Sequence, residues 1–115
     1  MAQTEAVVVV ETWRLKPEHA GEALHLMQQM DDLLGPGAHD HAGWCGHARF
    51  FQRAECPQEV WMMYAWSSEA SHRDLLAKEE GVIAEFMAQY CSEPRQISYF
   101  NELPVDTDAS MEMAS

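Results

Sequence analysis

The chain has 115 residues, enough for one domain with a real core and too few for two. Its 7 Lys and Arg against 19 Asp and Glu leave a formal charge of -12, which repels phosphate backbones and anionic headgroups and excludes nucleic acid and membrane surfaces as partners. Cys45, Cys56 and Cys91 are odd in number and lack CxxC spacing, so neither a disulfide framework nor a zinc ribbon is indicated. No apolar run, Ala6 to Val10 included, approaches the roughly 20 residues of a membrane helix, and no basic-then-apolar leader is expected. The expected location is the cytoplasm.

Glu5 to Leu15 opens with four valines, whose β-branching favours a strand, and its apolar residues fall on both faces, as in a central strand. Pro17 suits a first helical turn. Ala20, Ala23, Leu24, Met27, Met30 and Leu34 then recur at the spacing of one buried helical face. Gly35-Pro36-Gly37 predicts the end of that helix, and Ala38 to Gly43 a His-containing loop. Trp44 to Arg53 alternates as a strand nearer an edge, with Trp44, Gly46, Ala48 and Phe50 on one side and Cys45, His47, Arg49 and Phe51 on the other.

A short turn, Glu55-Cys56-Pro57-Gln58, predicts an antiparallel hairpin into Glu59 to Trp66, whose apolar residues occupy both faces and mark a second central strand. Ser67 and Ser68 can cap the helix that follows, and Glu69 suits its positive end. Gly81 predicts an interruption. A second helical segment then carries Val82, Ile83, Phe86, Met87 and Tyr90, Pro94 marks its end, and Gln96 to Leu103 reads as the last strand. Residues 1–103 form the expected domain, and 104–115 an acidic, aperiodic tail.

The order strand, helix, strand, strand, helix pair, strand is the split βαβ arrangement of an α+β, ferredoxin-like fold, an antiparallel four-stranded sheet with helices on one face. In that topology strands one and three are central, as their side chains already suggest. The other sheet face would expose Val, Met and Trp, so a second subunit is expected to cover it.

With that order, with Pro17 opening the first helix, and with the junction Tyr64-Ala65-Trp66-Ser67-Ser68-Glu69-Ala70, the chain resembles the antibiotic biosynthesis monooxygenase family over roughly residues 5 to 103. The resemblance implies a dimeric α+β barrel. Members of that family oxygenate phenolic polyketide intermediates without metal or flavin, while others degrade haem, isomerise lactones or cyclise polyketides. Haem-degrading members pair the Trp with an Asn on the first strand and a His on the following helix. Here the first strand has no Asn, the only later His is His72, and Leu75 and Leu76 stand where quinol-oxidising relatives carry a His.

The expected function is therefore cofactor-independent oxygenation of a phenolic, polyketide-like substrate in a homodimer, with molecular oxygen as co-substrate and no cofactor. Such chemistry needs a base, an anion stabiliser and an apolar cavity. His47 or a Tyr is the expected base and Arg49, two residues after His47, the holder of the phenolate, with Trp66 as a wall beside them. Trp61, Tyr64, Trp13 and Phe51 are expected to contribute substrate-binding surface, as are Phe86, Tyr90 and Tyr99, with His72 at the pocket mouth. The competing expectation for Trp13, Phe51 and the other aromatics is core or dimer interface, and for His47, Arg49 and His72 a solvated surface. A cofactor-free cyclase or isomerase is the first alternative. The second is a non-catalytic ligand- or metal-binding dimer using His39, His41, Cys45 and His47.

Overall fold

A computed structural model describes residues 6–108, so the first five residues and residues 109–115 of the expected tail lie outside the described residues. The strands β1 (Val7–Arg14), β2 (Arg49–Gln52), β3 (Glu59–Trp66) and β4 (Gln96–Phe100) form one antiparallel sheet in the order β2-β3-β1-β4. The helices α1 (Ala23–Asp40) and α2 (Glu69–Tyr90) cover one face. This is the expected ferredoxin-like α+β topology, with β1 and β3 central. Among the described residues no helix is long and apolar enough to cross a membrane.

Directly paired residues share a sheet face, so the register sorts the side chains. Val9, Glu11 and Trp13 of β1 lie opposite Tyr64, Met62 and Val60 of β3, and this set points toward the helices. One end of that layer is a core of Trp13, Leu26, Met30, Val60, Ile83 and Phe86. The other end centres on Val9, Tyr64, Trp66 and Leu75. The opposite sheet face pairs Val8 with Phe100, Val10 with Met63 and Phe51 with Trp61. It has no helix over it, and Phe51, Trp61 and Phe100 remain 41%, 37% and 51% exposed.

Four local expectations change. A six-residue 3-10 turn, Pro17–Glu22, precedes α1, and α1 runs through Gly35-Pro36-Gly37 to Asp40. Pro36 removes one helical hydrogen bond near the end of the helix, while Leu34 and Ala38 stay packed below it, so the last turn survives. The predicted strand from Trp44 shrinks to Arg49–Gln52, because Gly46 adopts a φ of +149° and turns the chain away from β3 after an isolated Trp44–Trp66 bridge. α2 is one continuous helix. Gly81 is exposed, and its cost of roughly 1 kcal/mol is outweighed by Glu79, Ile83 and Phe86 burying the same face. Finally, β4 ends at Phe100 rather than Leu103.

Met30 is fully buried in α1 as expected, whereas Leu24, expected on the same buried face, points outward and is 85% exposed. Met30→Ala is expected to lose about 2–5 kcal/mol of unfolding free energy in urea titrations, and Leu24→Ala less than about 0.5 kcal/mol.

Candidate active site

Between the second half of α1, the segment 41–48 and the helix-facing side of the sheet lies a cavity of about 370 Å³, within the size range of small-molecule sites. Trp44 and Trp66 wall it, Met62 and Leu75 supply apolar floor, and Glu11, Tyr64 and Glu79 bring polar atoms into it. Asp31 and Asp32 sit at its rim, and no Lys or Arg lines it. The wall at Trp66 is tightly fixed. A Cβ on Gly43 would lie 2.2 Å from Trp66 Nε1 and 2.3 Å from Ser71 Oγ, so only glycine lets segment 41–48 lie against the indole. His41 holds the same segment to α2: its Nδ1 accepts from the Gly43 N-H at 2.9 Å, which leaves Nε2-H to donate to Asp74 at 2.8 Å.

Beneath the cavity is a buried polar network contributed by β1, β3, α2 and the segment entering β4. Arg95 places one guanidinium nitrogen 2.9 Å from Glu11 Oε1 and another 3.0 Å from Glu79 Oε1, all three side chains being less than 10% exposed. Tyr64 O-H donates to the second Glu11 oxygen. His72, fully buried on α2, lies 2.6 Å by Nε2 from the Tyr64 oxygen and 2.9 Å by Nδ1 from the Tyr99 hydroxyl.

These surroundings move the protonation equilibria in different directions. Burial, reinforced by Glu11 and opposed by Arg95, pushes the Glu79 carboxyl up to about 7. Burial first, then the nearby Arg95, Arg73 and His41, takes His72 down to about 4, so its ring is neutral. Burial and the Glu11 carboxylate hold the Tyr64 phenol well above its ordinary range, which keeps it a proton donor. The site thus holds one carboxyl poised near neutrality in a largely apolar cavity, backed by a cation.

The sequence-expected residues divide by location. His47, Tyr64 and Trp66 line the cavity, His47 from its exposed mouth. Arg49 is across from Met63 on the opposite sheet face, where it packs over Phe51, so it does not accompany His47 into the cavity. Phe51 and Trp61 share that outer face. Trp13, Phe86 and Tyr90 belong to the far end of the core, where Trp13 meets Phe86 edge-on at 6.0 Å and Phe86 meets Tyr90 at 5.0 Å. His72 and Tyr99 stand behind Tyr64 rather than at the mouth, since the face of α2 bearing His72 packs onto the sheet. Among the described residues no group of three or more His, Cys, Asp or Glu is gathered as a metal site. His41 is engaged with Asp74, and Cys45 Sγ donates to the Gly43 carbonyl.

Glu11, Glu79 and Arg95 were not expected from sequence. A signal existed for one: His72, Leu75, Glu79, Ile83 and Phe86 follow one another at steps of three and four, a single buried stripe that includes Glu79.

No family model and no curated protein matches the sequence. Solved structures do match. A Bordetella bronchiseptica protein, a proposed antibiotic biosynthesis monooxygenase, aligns with a TM-score of 0.69 at 14% identity, over 87% of this chain and 99% of that one. A second proposed antibiotic biosynthesis monooxygenase, from Nitrosomonas europaea, gives 0.60 at 12% identity over 90% and 96%. A conserved protein from Methanosarcina mazei gives 0.62 at 19% identity over 86% and 94%. The chain has the antibiotic biosynthesis monooxygenase fold. At these identities the likeness is one of fold, and the chemistry has to come from the site itself.

Because Glu79 binds its proton more tightly folded than unfolded, its stabilising contribution is complete below its ordinary value of 4.5 and is lost as pH rises through about 7. Glu79→Gln lacks this loss. Its stability relative to the unsubstituted protein is expected to rise between pH 4.5 and about 7 and to level off on either side, measured by urea unfolding at each pH.

Proposed function

We propose that the chain is a cofactor-independent oxygenase of secondary metabolism that takes a neutral phenolic, polyketide-like substrate into the cavity between segment 41–48 and the sheet. The observation that carries this reading is Glu79, a buried carboxyl poised near neutrality, facing an aromatic-walled cavity with Arg95 behind it. A base matched to the working pH is what phenol or enol deprotonation requires. When Glu79 takes the phenolic proton it becomes neutral, and the Arg95 charge it had offset is left to balance the new anion. The total charge of the site does not change, which keeps the step affordable away from water. Glu79 and Arg95 thereby fill the roles expected of His47 and Arg49, while Trp44 and Trp66 hold the rings.

The electron-rich anion then forms a carbon-oxygen bond to molecular oxygen. Cleavage of the O-O bond leaves one oxygen as a quinone carbonyl and releases the other as water, and the two hydrogens lost from substrate carbon and oxygen balance the two that water gains. The substrate supplies all four electrons. The acidic rim of Asp31 and Asp32 selects against substrates that arrive as anions. A cofactor-free isomerase or cyclase is the second reading, favoured by the same base, because it needs only the proton transfer.

With neutral tricyclic phenols as probes, oxygen consumption in an oxygen electrode is expected to accompany substrate loss, and Glu79→Gln to lower kcat by about 10²- to 10⁴-fold. Turnover without oxygen uptake would select the isomerase or cyclase.

The bare sheet face is the proposed homodimer interface. Phe51, Trp61 and Phe100 lie exposed there around Val8, Val10 and Met63, a patch of the kind that obligate partners bury. Sedimentation velocity is expected to show a dimer, and Trp61→Glu a monomer; a monomeric unsubstituted protein removes this assembly.

A further inference from the structure

We infer that Tyr99, His72 and Tyr64 form a proton relay that carries a proton from solvent at the β4 edge inward to the Glu11 carboxylate beneath the cavity. The inference deepens the proposed function and rests on it for its purpose, but the path is set by geometry alone. Every link is a close contact between a group that can give a proton and one that can take it: Tyr99 hydroxyl to His72 Nδ1 at 2.9 Å, His72 Nε2 to the Tyr64 oxygen at 2.6 Å, and Tyr64 O-H to Glu11 Oε2.

The direction follows from the acceptors. Glu11 Oε1 already accepts from Arg95, and Tyr64 O-H donates to Oε2. With its hydrogen committed, the Tyr64 oxygen accepts, so His72 carries its proton on Nε2. His72 Nδ1 is then an acceptor, and Tyr99 donates to it. All three hydrogens therefore point toward Glu11. The groups that surround His72 agree with a neutral ring. Tyr64 faces it from β3, Tyr99 from β4, Arg95 from the segment before β4, Arg73 from its own helix and His41 from the end of α1, and none of them is a carboxylate that would hold an imidazolium. The chain has one wet end. Tyr99 is half-buried at an edge strand, with Arg73 over its ring at 5.3 Å, whereas Tyr64, His72 and Glu11 are buried.

The transfer balances without redox chemistry. A proton from hydronium, which leaves as water, binds the Tyr99 oxygen as Tyr99 releases its own to Nδ1; the Nε2 proton passes to the Tyr64 oxygen and the Tyr64 proton to Glu11, so His72 ends as its Nδ1-H tautomer and a return shift of that proton resets the relay. A neutral imidazole that is hard to protonate favours these shifts occurring together rather than through a long-lived imidazolium. In the proposed reaction Glu11 then holds a proton for the oxygen that leaves as water, while the proton taken by Glu79 returns to solvent through the cavity mouth.

The test needs no substrate. In the ¹⁵N-labelled protein the His72 ring is expected to be the Nε2-H tautomer, and its Nε2-H to exchange with solvent faster than the backbone amides of neighbouring α2 residues. Tyr99→Phe, which deletes only the outer hydroxyl, is expected to slow that side-chain exchange by about tenfold or more while amide exchange stays the same or quickens. A merely structural hydroxyl gives the opposite sign, since loosening the site speeds both. An Nδ1-H tautomer, or side-chain exchange that tracks the amides in both proteins, overturns the relay. Failure of the phenol assay with the exchange results intact would remove the oxygenase reading and leave the relay standing.

Discussion

The buried Arg95 guanidinium, clamped between Glu11 and Glu79, is the interaction on which the rest of the site depends. It joins the central strand β1 to the long helix and the entry to the edge strand, 84 residues further along the chain. Two carboxylates facing one another in the interior would repel and remain poorly solvated; the planar guanidinium satisfies one oxygen of each with a directed hydrogen bond. The arrangement is one negative charge in excess when both acids are ionised, and that excess has a direct consequence. Glu11 accepts two hydrogen bonds, from Arg95 and Tyr64, whereas among the described residues the side-chain hydrogen-bond partner of Glu79 is Arg95 alone. Glu79 is the member that can take up a proton with least loss. The same clamp fixes the hydrogen-bond direction of Tyr64, and through it of His72 and Tyr99.

Most of the fold was legible from alternation. Val7 to Val10 and Val60 to Trp66 have apolar residues on both faces, which placed β1 and β3 at the centre of the sheet. The errors arose where backbone geometry outweighed composition. Gly35-Pro36-Gly37 reads as a stop, yet a helix can continue through a proline when only one hydrogen bond is lost and Leu34 and Ala38 on either side stay packed against the core. His47 and Arg49 read as neighbours because residues two apart share a strand face. That rule requires the strand to include both. Here β2 begins at Arg49, the chain turns at Gly46, and the two side chains part company, one toward the cavity and the other onto the outer face.

The site was less legible than the fold for a different physical reason. A glutamate in a valine strand, or an arginine beside a proline, carries no local mark of burial, because burial becomes tolerable only when a partner 84 residues away arrives. His72 shows the same limit. Its neighbours Ser71, Arg73 and Asp74 are polar, and its burial is marked only by the stripe it shares with Leu75, Glu79 and Ile83, the face of α2 that packs onto the sheet, where Tyr64 and Tyr99 meet it. Trp66 was found because its burial is declared locally by an aromatic strand, and Gly43 then explains why the loop can close on it.

In the proposed reaction, the location of Glu79 favours a buried base over an exposed one. His47 at the mouth would deprotonate a phenol where water competes for both proton and anion, and its imidazolium would be free to diffuse its charge into solvent. A proton passed to Glu79 stays within a few ångströms of the anion it leaves behind, in surroundings where that separation of charge is cancelled by Arg95 rather than by water. Oxygen, being small and apolar, loses nothing on entering such a cavity, whereas water has few polar atoms there to bind. The acidic excess of the interior, which alone would resist any substrate anion, becomes workable once one of its two carboxylates is the group that accepts the proton.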